Sequence, residues 1–572
     1  MMRTTKRSAV LALSLGVVAL AGTVHAEGTA PGQMYQILQD KDQIPAQIEK
    51  REQPVIEQEA KKPAPVEAEG AKKVLVKKFD IQGNTLLDEA TLNSATAMAV
   101  GKELSLEEIW NVAELITAKY REAGYLIANA YIPSQGIIDG VVTIQVVEGR
   151  VGEIVVTGNK SYSTAFIKRH LNEVRKDRSL NEETLEKELL ILNDYPSLAV
   201  KASLKAGKEA GTTDLIATVA DRFPISGSIS YDNFGSETTS KKRVSVNLNA
   251  GNLLTSGDAL LLRGVTGVDR IDFNRLSFGR VEYLLPIGGS GTQVGGYYTN
   301  SIYTAGGVLA PLALQGRGNV FGFYGTRPFI RKRDEILNIR LGTEVIDTKE
   351  DLVDGPRSRD AIRKILLNAY YTKTDRFLGR NFLGFSYAAG LGSLFGGTKE
   401  NDTPAPSRAG ASDSFHKFNV DAMRIQKLPG YNHIILRGGA QYSPDRLLVP
   451  EQFLIGGDGT VRGYTPAAVG GDSGYYVSAE LAVSPIFPET TIFRQKVGDT
   501  IKFAMFVDHG GAFVTDAAAG ERDADYLTGL GAGVRLYGGQ FFSFKLDWAV
   551  PSKNGGYEAR NGRTTFVATL SF

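Results

Sequence analysis

Apolar and polar positions alternate through the C-terminal part of the chain, from Phe223 to Phe572, in short segments separated by Gly, Asn, Asp and Ser. The alternation is plain in 337–345, 475–481 and 542–550, where one face is apolar and aromatic and the other carries charges. A period of two predicts β-strands with one face toward lipid and one toward a wet lumen. A soluble β-sandwich is the alternative, but it would turn its apolar face inward. At about 20 to 22 residues per strand and connection, the region predicts about 16 strands of a transmembrane barrel.

The N-terminus has the order of a secretory signal peptide. Three basic residues lie within the first seven positions, an apolar run extends from Ala9 to Gly22, and the small-residue site Val24-His25-Ala26 follows. The apolar run is shorter than the roughly 20 residues that a membrane-spanning helix needs. We therefore expect a signal peptide at 1–26, removed after Ala26.

Two short regions separate the signal peptide from the first folded unit. Residues 27–52 contain one short helical pattern, with Met34, Ile37 and Leu38 on a common face and Pro45 interrupting it. Residues 53–73 are rich in Pro, Ala, Glu and Lys, a composition with little apolar surface to bury. This second region is predicted to be a flexible linker.

Residues 74–221 carry the same landmarks twice at a nearly constant offset. Gly83-Asn84 recurs as Gly158-Asn159 after 75 positions, and Ser105-x-x-Glu108 recurs as Ser179-x-x-Glu182 after 74. Each serine tetrad predicts a capping box at the start of a helix. With the flanking alternating segments, the landmarks predict a tandem α/β unit in the order strand, helix, helix, strand, strand.

Composition removes several classes of function. The chain has no cysteine, which excludes disulfides and thiolate chemistry, and its net charge of +2 gives no reason to expect a nucleic-acid partner. The five histidines are scattered, so no metal site and no cofactor is predicted. No catalytic constellation is recognisable, and the protein is not expected to be an enzyme.

One glycine-rich segment and one strand carry charged residues that could pair with each other. The segment 456–464 carries a single charged cation, Arg462, between glycines that allow it to fold back on itself. Strand alternation in 503–510 places Asp508 with Phe506 on the face opposite Phe503. If Phe503 faces lipid, Asp508 faces the lumen and can pair with Arg462. Spacing alone leaves a solvated arginine as the more ordinary alternative.

Several motifs, in order along 74–572, closely resemble those of two-partner secretion transporters, the haemolysin-activation and filamentous-haemagglutinin transporter family of type V secretion. They are Tyr131-Ile132-Pro133-x-Gln135, Val147-Glu148-Gly149-Arg150, Tyr231-Asp232-Asn233-x-Gly235-Ser236, Val461-Arg462-Gly463-Tyr464 and Phe503-x-x-Phe506-x-Asp508-x-Gly510.

The resemblance implies a mainly β fold with two α/β polypeptide-transport-associated (POTRA) domains at 74–149 and 150–222 and a 16-stranded barrel at 223–572. It also implies a plug helix within 27–52 and a lumen loop whose Arg462 forms a salt bridge with Asp508. The protein would lie in outer-membrane lipid with its POTRA domains in the periplasm. It would move an unfolded secreted exoprotein, large, β-helical and haemolysin- or adhesin-like, through the pore without ATP.

Three other functions stay open at this point. An assembly factor that inserts other barrels shares the barrel motif, but the short POTRA region and the expected plug argue against it. A passive porin would not need residues 74–221. An outer-membrane hydrolase would need a Ser-His pair on the outside of the barrel, and the sequence indicates none.

Overall fold

The fold is given by a computed structural model, which describes residues 56–58, 73–222, 224–269, 275–492, 494–518, 521–552 and 562–572. The expected signal peptide at 1–26 and the expected plug helix at 27–52 lie outside the described residues. Among those described, no helix has the length and apolar character to cross a membrane.

A short strand, β1, precedes two α/β repeats. Strand β1 is Ile56–Gln58. Repeat 1 contains β2 (Val74–Val76), β3 (Lys78–Gln82), α1 (Glu89–Thr96), β4 (Lys102–Leu104), α2 (Leu106–Glu122), β5 (Asn129–Tyr131) and β6 (Val141–Val147). Repeat 2 contains β7 (Arg150–Thr157), α3 (Thr164–Leu171), α4 (Glu182–Leu192), β8 (Leu198–Ala206) and β9 (Thr212–Asp221).

The two repeats share one sheet arrangement. The last strand, β6 or β9, is central; it runs parallel to β3 or β7 and antiparallel to β5 or β8. The helices of each repeat cover its sheet and enclose a separate apolar core. Apart from the short β2 and β4 of repeat 1, which pair with each other, this is the element order that the repeated landmarks predict.

Helix α2 begins as its sequence predicts. The Ser105 hydroxyl accepts from the Glu108 amide at 3.2 Å, and the Glu108 carboxylate accepts from the Ser105 amide at 2.7 Å, so the capping box is complete. Ile109 and Ile116 lie on its buried face, and Gly124, with a φ of 88°, follows its end.

The second predicted capping box is wrong. Helix α4 is capped by Asn181, whose side chain accepts from the Glu183 amide at 2.8 Å. The Ser179 hydroxyl instead donates to the carbonyl of Glu148. Asn181 forms a β-bridge with Tyr125, so this stretch is held extended against repeat 1 and the helix starts later.

In each repeat, a carboxylate accepts hydrogen bonds from the backbone amides of the turn that follows the Gly-Asn pair. Glu148 accepts from the amides of Thr85 and Leu86 at 2.5 and 2.8 Å. Asp221 accepts from the amides of residues 160–162 at 2.7 to 3.0 Å. These hydrogen bonds lie at corresponding positions in the two repeats. They connect the start of each repeat to the end of its last strand.

Part of the expected flexible linker is a strand. Strand β1 pairs in parallel with β8 of repeat 2, with Ile56, Glu57 and Gln58 opposite residues 202–204. The sheet of repeat 2 therefore has the order β1, β8, β9, β7. The linker prediction did not include this pairing, because no sequence pattern identifies so short a strand.

The rest of the chain is a closed barrel of 16 antiparallel strands, which confirms the expected barrel. The elements of the first part are β10 (Ile225–Asp232), β11 (Arg243–Gly251), β12 (Ala259–Gly267), β13 (Leu276–Ile287), β14 (Thr292–Thr304), β15 (Gln315–Arg331), β16 (Glu335–Leu352), β17 (Gly355–Thr374), β18 (Gly379–Gly390), β19 (His416–Lys427) and β20 (His433–Tyr442). Those of the second part are β21 (Phe453–Ile455), β22 (Val469–Gly471), β23 (Ser473–Val483), β24 (Thr491–Ile492), β25 (Gln495–Lys496), α5 (Val497–Thr500), β26 (Ile501–Phe513), β27 (Ala524–Gly538), β28 (Phe542–Pro551) and β29 (Arg563–Ser571). The strand pairs β21–β22 and β24–β25 form two separate sheets that are not part of the wall, and β29 closes the barrel on β10.

The two faces of the wall are those that the alternation predicts. On β28 Trp548 is 52% exposed on the outer face, whereas Asp547 beside it is fully buried in the lumen. On β23 Val477 faces outward and Glu480 inward. The outer face is apolar, as lipid requires, and the charges are directed inward.

Repeat 2 is fixed to the end of the barrel from which the repeats extend. Arg331, at the end of β15, pairs with Asp194 at 2.6 Å, and Lys332 pairs with Glu183 at 2.7 Å. These contacts hold α4 and the turn that follows it against the mouth of the barrel.

Candidate functional site: a loop held inside the barrel

The long connection between β20 and β23, residues 443–472, folds back into the lumen. Its β21 and β22 form a hairpin, and Val461, Arg462 and Tyr464 between them are at most 2% exposed. A segment of this length is normally solvated at a barrel rim, so its burial requires specific partners on the wall.

Arg462 is the centre of these contacts. Its Nε and Nη2 donate to the two oxygens of Asp508 at 2.7 and 2.9 Å, and its own amide donates to Asp508 at 3.0 Å. Its Nη1 lies 2.6 Å from Glu480 and 3.3 Å from Asp547. The planar guanidinium thus binds Asp508 side-on while touching two further carboxylates.

The other motif residues shape the surroundings of Arg462. Its guanidinium carbon lies 3.3 Å from the centre of the Phe506 ring, a cation–π contact. Gly510 lies beside Val461, whose Cγ2 would be 3.2 Å from a Cβ at that position. Phe503, by contrast, is on the outer face and 49% exposed.

Glycine and tyrosine fix the backbone of the loop tip. Gly463 has a φ of 95°, a conformation that other residues rarely adopt. A Cβ on Gly529 of β27 would lie 1.9 Å from the Arg462 carbonyl, so only glycine permits this approach. The Tyr464 hydroxyl donates to the carbonyl of Thr528 at 3.1 Å.

Further ions complete what we call the tip cluster. Arg535 bridges Glu480 at 3.0 Å and Asp547 at 2.5 Å. Lys545 pairs with Asp458 of the loop at 2.7 Å and with Asp547 at 3.3 Å. The members of the cluster are Asp458, Arg462, Glu480, Asp508, Arg535, Lys545 and Asp547.

A second set of ion pairs, the stalk cluster, holds the start of the loop. Glu451, 1% exposed, lies 2.6 Å from Lys364 and 2.5 Å from Lys417. Lys364 also pairs with Glu344 at 2.9 Å. The loop is therefore attached to the wall at two separate places.

The structure thus brings together Arg462, Asp508 and Phe506 of the sequence motifs, and it adds residues that the motifs omit. Alternation alone places Glu480, Lys545 and Asp547 on the inner face. It does not show that they meet Arg462, because the register between β23, β26, β27 and β28 cannot be read from the sequence. No sequence motif includes Glu451, Lys364 or Lys417.

The ion pairs attach the loop to the inner face of the wall. The described residues contain no group of His, Cys, Asp and Glu side chains suited to a metal ion. Between the loop and the wall, Arg280, Arg340, Tyr324 and Tyr370 help to line a cavity of about 310 Å³. Residues 450–454 and 459–460 of the loop line the same cavity, so the loop borders the open space inside the barrel.

The barrel, the α/β repeats at its mouth and the loop inside it define an outer-membrane transporter. Comparison with known families identifies the chain further. A model described as "Haemolysin secretion/activation protein ShlB/FhaC/HecB" matches residues 211–536, and one described as "POTRA domain, ShlB-type" matches residues 74–149. The chain belongs to the haemolysin secretion/activation protein family, which confirms the resemblance seen in its motifs.

Individual relatives agree. The chain is 27% identical over 466 residues to the heme/hemopexin transporter protein HuxB of Haemophilus influenzae, covering 80% of this chain and 79% of the relative. It is 24% identical over 433 residues to the outer membrane transporter CdiB of Escherichia coli O6:K15:H31 (strain 536 / UPEC), covering 72% and 69%. Members of this family are transporters; the barrel lies in the outer membrane and the POTRA region in the periplasm.

Solved structures show the same fold. CdiB from Escherichia coli matches with a TM-score of 0.71 at 19% identity, over 95% of this chain and 99% of that one. BamA from Haemophilus ducreyi lacking POTRA domains 1-3 matches with a TM-score of 0.51 at 16% identity, over 87% and 100%. The family match over residues 211–536, rather than the likeness of fold, makes the assembly factor the less supported alternative.

Proposed function

We propose that this protein binds an unfolded exported partner through its periplasmic repeats and passes it through the barrel to the cell surface or medium. The observation that carries the proposal is the loop attached inside the lumen by Arg462. A passive pore needs no closure of this kind, whereas a protein channel must stay sealed until its partner arrives.

The repeats supply edges that an extended chain can join. In repeat 1, β5 lies at the edge of the sheet, with β6 on one side. Adding a strand there gains main-chain hydrogen bonds with little demand on sequence. The barrel wall closes on itself and offers no such edge. Recognition is therefore assigned to the repeats and conduction to the barrel.

The partner is a large secreted exoprotein, haemolysin- or adhesin-like and β-helical. Relatives named as heme/hemopexin and hemolysin transporters support a secreted protein as cargo. Folding outside the cell gives the transport its direction, because burial of apolar surface makes return unfavourable. No nucleotide and no catalytic step is needed, and the sequence contains no phosphate-binding loop.

Two further parts of the proposal concern residues 1–52. The signal peptide is cleaved between Ala26 and Glu27, and the helical pattern within 27–52 adds a plug to the lumen. N-terminal sequencing of the membrane-inserted protein tests the first; a chain that still began at Met1 would contradict it. Conductance of a variant lacking 27–52 tests the second, and an unchanged conductance would exclude the plug.

Deletion of 74–221 tests the division of labour. We expect the deletion variant to keep a conducting barrel in planar bilayers and to lose export. Arg376→Ala is a suitable control, because Arg376 is exposed in the turn between β17 and β18. Export by the deletion variant at the level of the control would move recognition into the barrel.

A further inference from the structure

The connection between β18 and β19, residues 391–415, lies at the end of the barrel opposite the repeats. Neighbouring wall strands are antiparallel and β15 ends beside repeat 2, so β17 begins and β18 ends at this outer end. Within the connection, residues 392–397 form a tight turn that projects from the wall, which we call the projecting turn. Its Leu394 is 61% exposed and its Phe395 is 82% exposed. The turn therefore presents two large apolar side chains on the surface of the molecule.

The projecting turn is held by the wall on both sides. Before it, the amide of Leu391 donates to the carbonyl of Arg363 on β17 at 2.7 Å. After it, the amide of Thr398 donates to the carbonyl of Ala361 at 2.8 Å. The buried carboxylate of Asp413, from the same connection, accepts from the amide of Arg363 at 3.0 Å. The chain thus leaves β17 and returns to it, with the turn fixed between the two contacts.

The backbone of Phe395 adopts a conformation that suits glycine. Its φ is 56° and its ψ is 26°, in the left-handed region that is unfavourable for a residue with a Cβ. Gly392 and Gly396 in the same turn have φ values of 62° and 81°. Such a residue persists only where other requirements outweigh the strain. Since the Phe395 side chain is exposed, packing within the described part of the chain does not explain the phenylalanine.

The projecting turn lies on the outer face of the wall. Lys364 of β17 faces the lumen as part of the stalk cluster, so Arg363 and Ile365 on either side of it face outward. The Nε of Arg363 donates to the carbonyl of Phe395 at 3.3 Å, and its Nη2 pairs with Asp347 at 2.8 Å. The turn therefore covers an outward-facing side chain and not the opening of the lumen.

Arg363 lies at the outer boundary of the lipid-facing band. Toward the repeats, the next outward residues of β17 are Ile365 and Leu367, which are both apolar and exposed. Arg363 and Ile365 are two residues apart, about 7 Å along a strand. The interfacial region of a bilayer extends roughly 5 to 8 Å beyond the hydrocarbon core on each side. The projecting turn is therefore at the depth of the interfacial region.

We infer that Leu394 and Phe395 insert into the outer leaflet of the membrane beside β17, where they contact lipid acyl chains below the headgroups. The occupant is lipid because the turn continues the apolar, lipid-facing band of the wall. Burial of the two side chains offsets the strain at Phe395. The contact fixes the depth of the outer end of the barrel in the membrane. It requires no exported partner, so it is independent of the proposed function.

Tryptophan fluorescence in lipid vesicles tests this contact. Trp110→Phe with Trp548→Phe removes both native tryptophans, and Phe395→Trp then places a single reporter in the projecting turn. Tryptophan has a Cβ and an aromatic ring, as phenylalanine has, so the backbone of the turn is equally strained. The full chain is inserted into vesicles of phosphatidylcholine whose acyl chains carry bromine near the headgroup. Bromine quenches a tryptophan that it contacts.

Two further reporters in the same background serve as matched controls. Ile365→Trp lies on the lipid-facing wall, whereas Val353→Trp lies at the exposed tip between β16 and β17, further out than Arg363. We expect the bromines to quench Phe395→Trp as strongly as Ile365→Trp, with a blue-shifted emission, and to leave Val353→Trp unquenched. Phe395→Trp with the emission and the quenching of Val353→Trp would overturn the inference.

Protein partners would give different results. A contact between two copies weakens as the protein is diluted with lipid, so a blue shift that disappears on dilution would assign the turn to a second copy and exclude lipid. A blue shift that depends on the exported partner would exclude lipid as well. Heat-modifiability in detergent gels shows whether each variant forms a barrel. If Phe395→Trp does not, Leu394→Trp replaces it with the same expected result.

Discussion

The barrel and the repeats hold carboxylates in different ways. In the barrel, Asp508 and Glu451 are held by cations that belong to another segment of the chain, Arg462 in one case and Lys364 with Lys417 in the other. In the repeats, Glu148 and residue 221 are held by the backbone amides of a turn.

The two kinds of contact differ in what must move before they break. A backbone amide at a turn cannot leave its carboxylate unless the repeat unfolds. A loop cation can leave if the loop withdraws, because the wall strands stay paired with each other. Withdrawal of the lumen loop would therefore leave the closed, hydrogen-bonded wall of the barrel intact.

Arg462→Ala should have the largest effect. It leaves Asp508, Glu480 and Asp547 with one cation fewer at a buried site, and loss of one partner of a buried pair costs about 3 to 5 kcal/mol. At about 1.4 kcal/mol per factor of ten, loop docking would weaken by more than about a hundredfold. We expect higher conductance in planar bilayers and impaired export.

Arg376→Ala, in the exposed turn between β17 and β18, serves as the control for this change. Heat-modifiability in detergent gels should show that both variants form a barrel. An Arg462→Ala protein with the conductance and export of the control would mean that the ion pairs do not hold the loop.

The exchange Arg462→Asp with Asp508→Arg should recover only part of the loss. It restores one ion pair, but the new aspartate lies near Glu480 and Asp547, which repel it. Conductance and export of the double variant should fall between those of the wild type and Arg462→Ala. Full recovery would show that Asp508 alone is the partner of Arg462.

The sequence shows which residues of a strand face the lumen, but it does not show how neighbouring strands align. Alternation and the family motifs point to Arg462, Asp508 and the inner face of β28. Which charges meet depends on how β23, β26, β27 and β28 align, and this alignment is set by turns and packing across the whole wall.

The same reasoning applies to the repeats. Their element order follows from local signals, and α2 starts where its capping box predicts. Helix α4 starts later than its predicted capping box, because Asn181 is held extended by its bridge to Tyr125. The pairing of β1 with β8 joins residues about 145 positions apart, and local propensity gives no information at such a distance.

Glu451→Gln should have an intermediate effect. The neutral amide removes the charge between Lys364 and Lys417, but Lys364 keeps Glu344 at 2.9 Å and the tip cluster still holds the loop. We expect conductance above that of the exposed control Glu400→Gln and below that of Arg462→Ala. Conductance as high as in Arg462→Ala would show that the stalk and tip act as one unit.

Glu148→Gln should have the smallest effect on the pore, because it acts on repeat 1 alone. Burial raises the pKa of the Glu148 carboxyl, but the hydrogen bonds from Thr85 and Leu86 outweigh this, and the net pKa is below its ordinary value. A lowered pKa in the folded state stabilises the repeat above the ordinary carboxyl pKa, and this stabilisation is lost as the pH falls through the folded value. Hydrogen bonds to a charged acceptor contribute about 1.5 to 3 kcal/mol, so we expect the variant to lose about that much stability at neutral pH and to show less destabilisation by acid.

The two tryptophans allow the stability of repeat 1 to be measured in the whole protein. Trp110 lies on α2 of repeat 1 and Trp548 lies on the barrel wall, so Trp548→Phe leaves Trp110 as the single reporter. Denaturant unfolding of repeat 1 is then followed by fluorescence from neutral pH downward, with the exposed Glu114→Gln as control. The curves of Glu148→Gln and the parent should converge as the pH falls below the carboxyl range, because the parent loses its charge there. Curves that stay parallel at every pH would show that the Glu148 charge does not stabilise the repeat, and a simultaneous change in conductance would show that repeat 1 and the lumen loop are coupled.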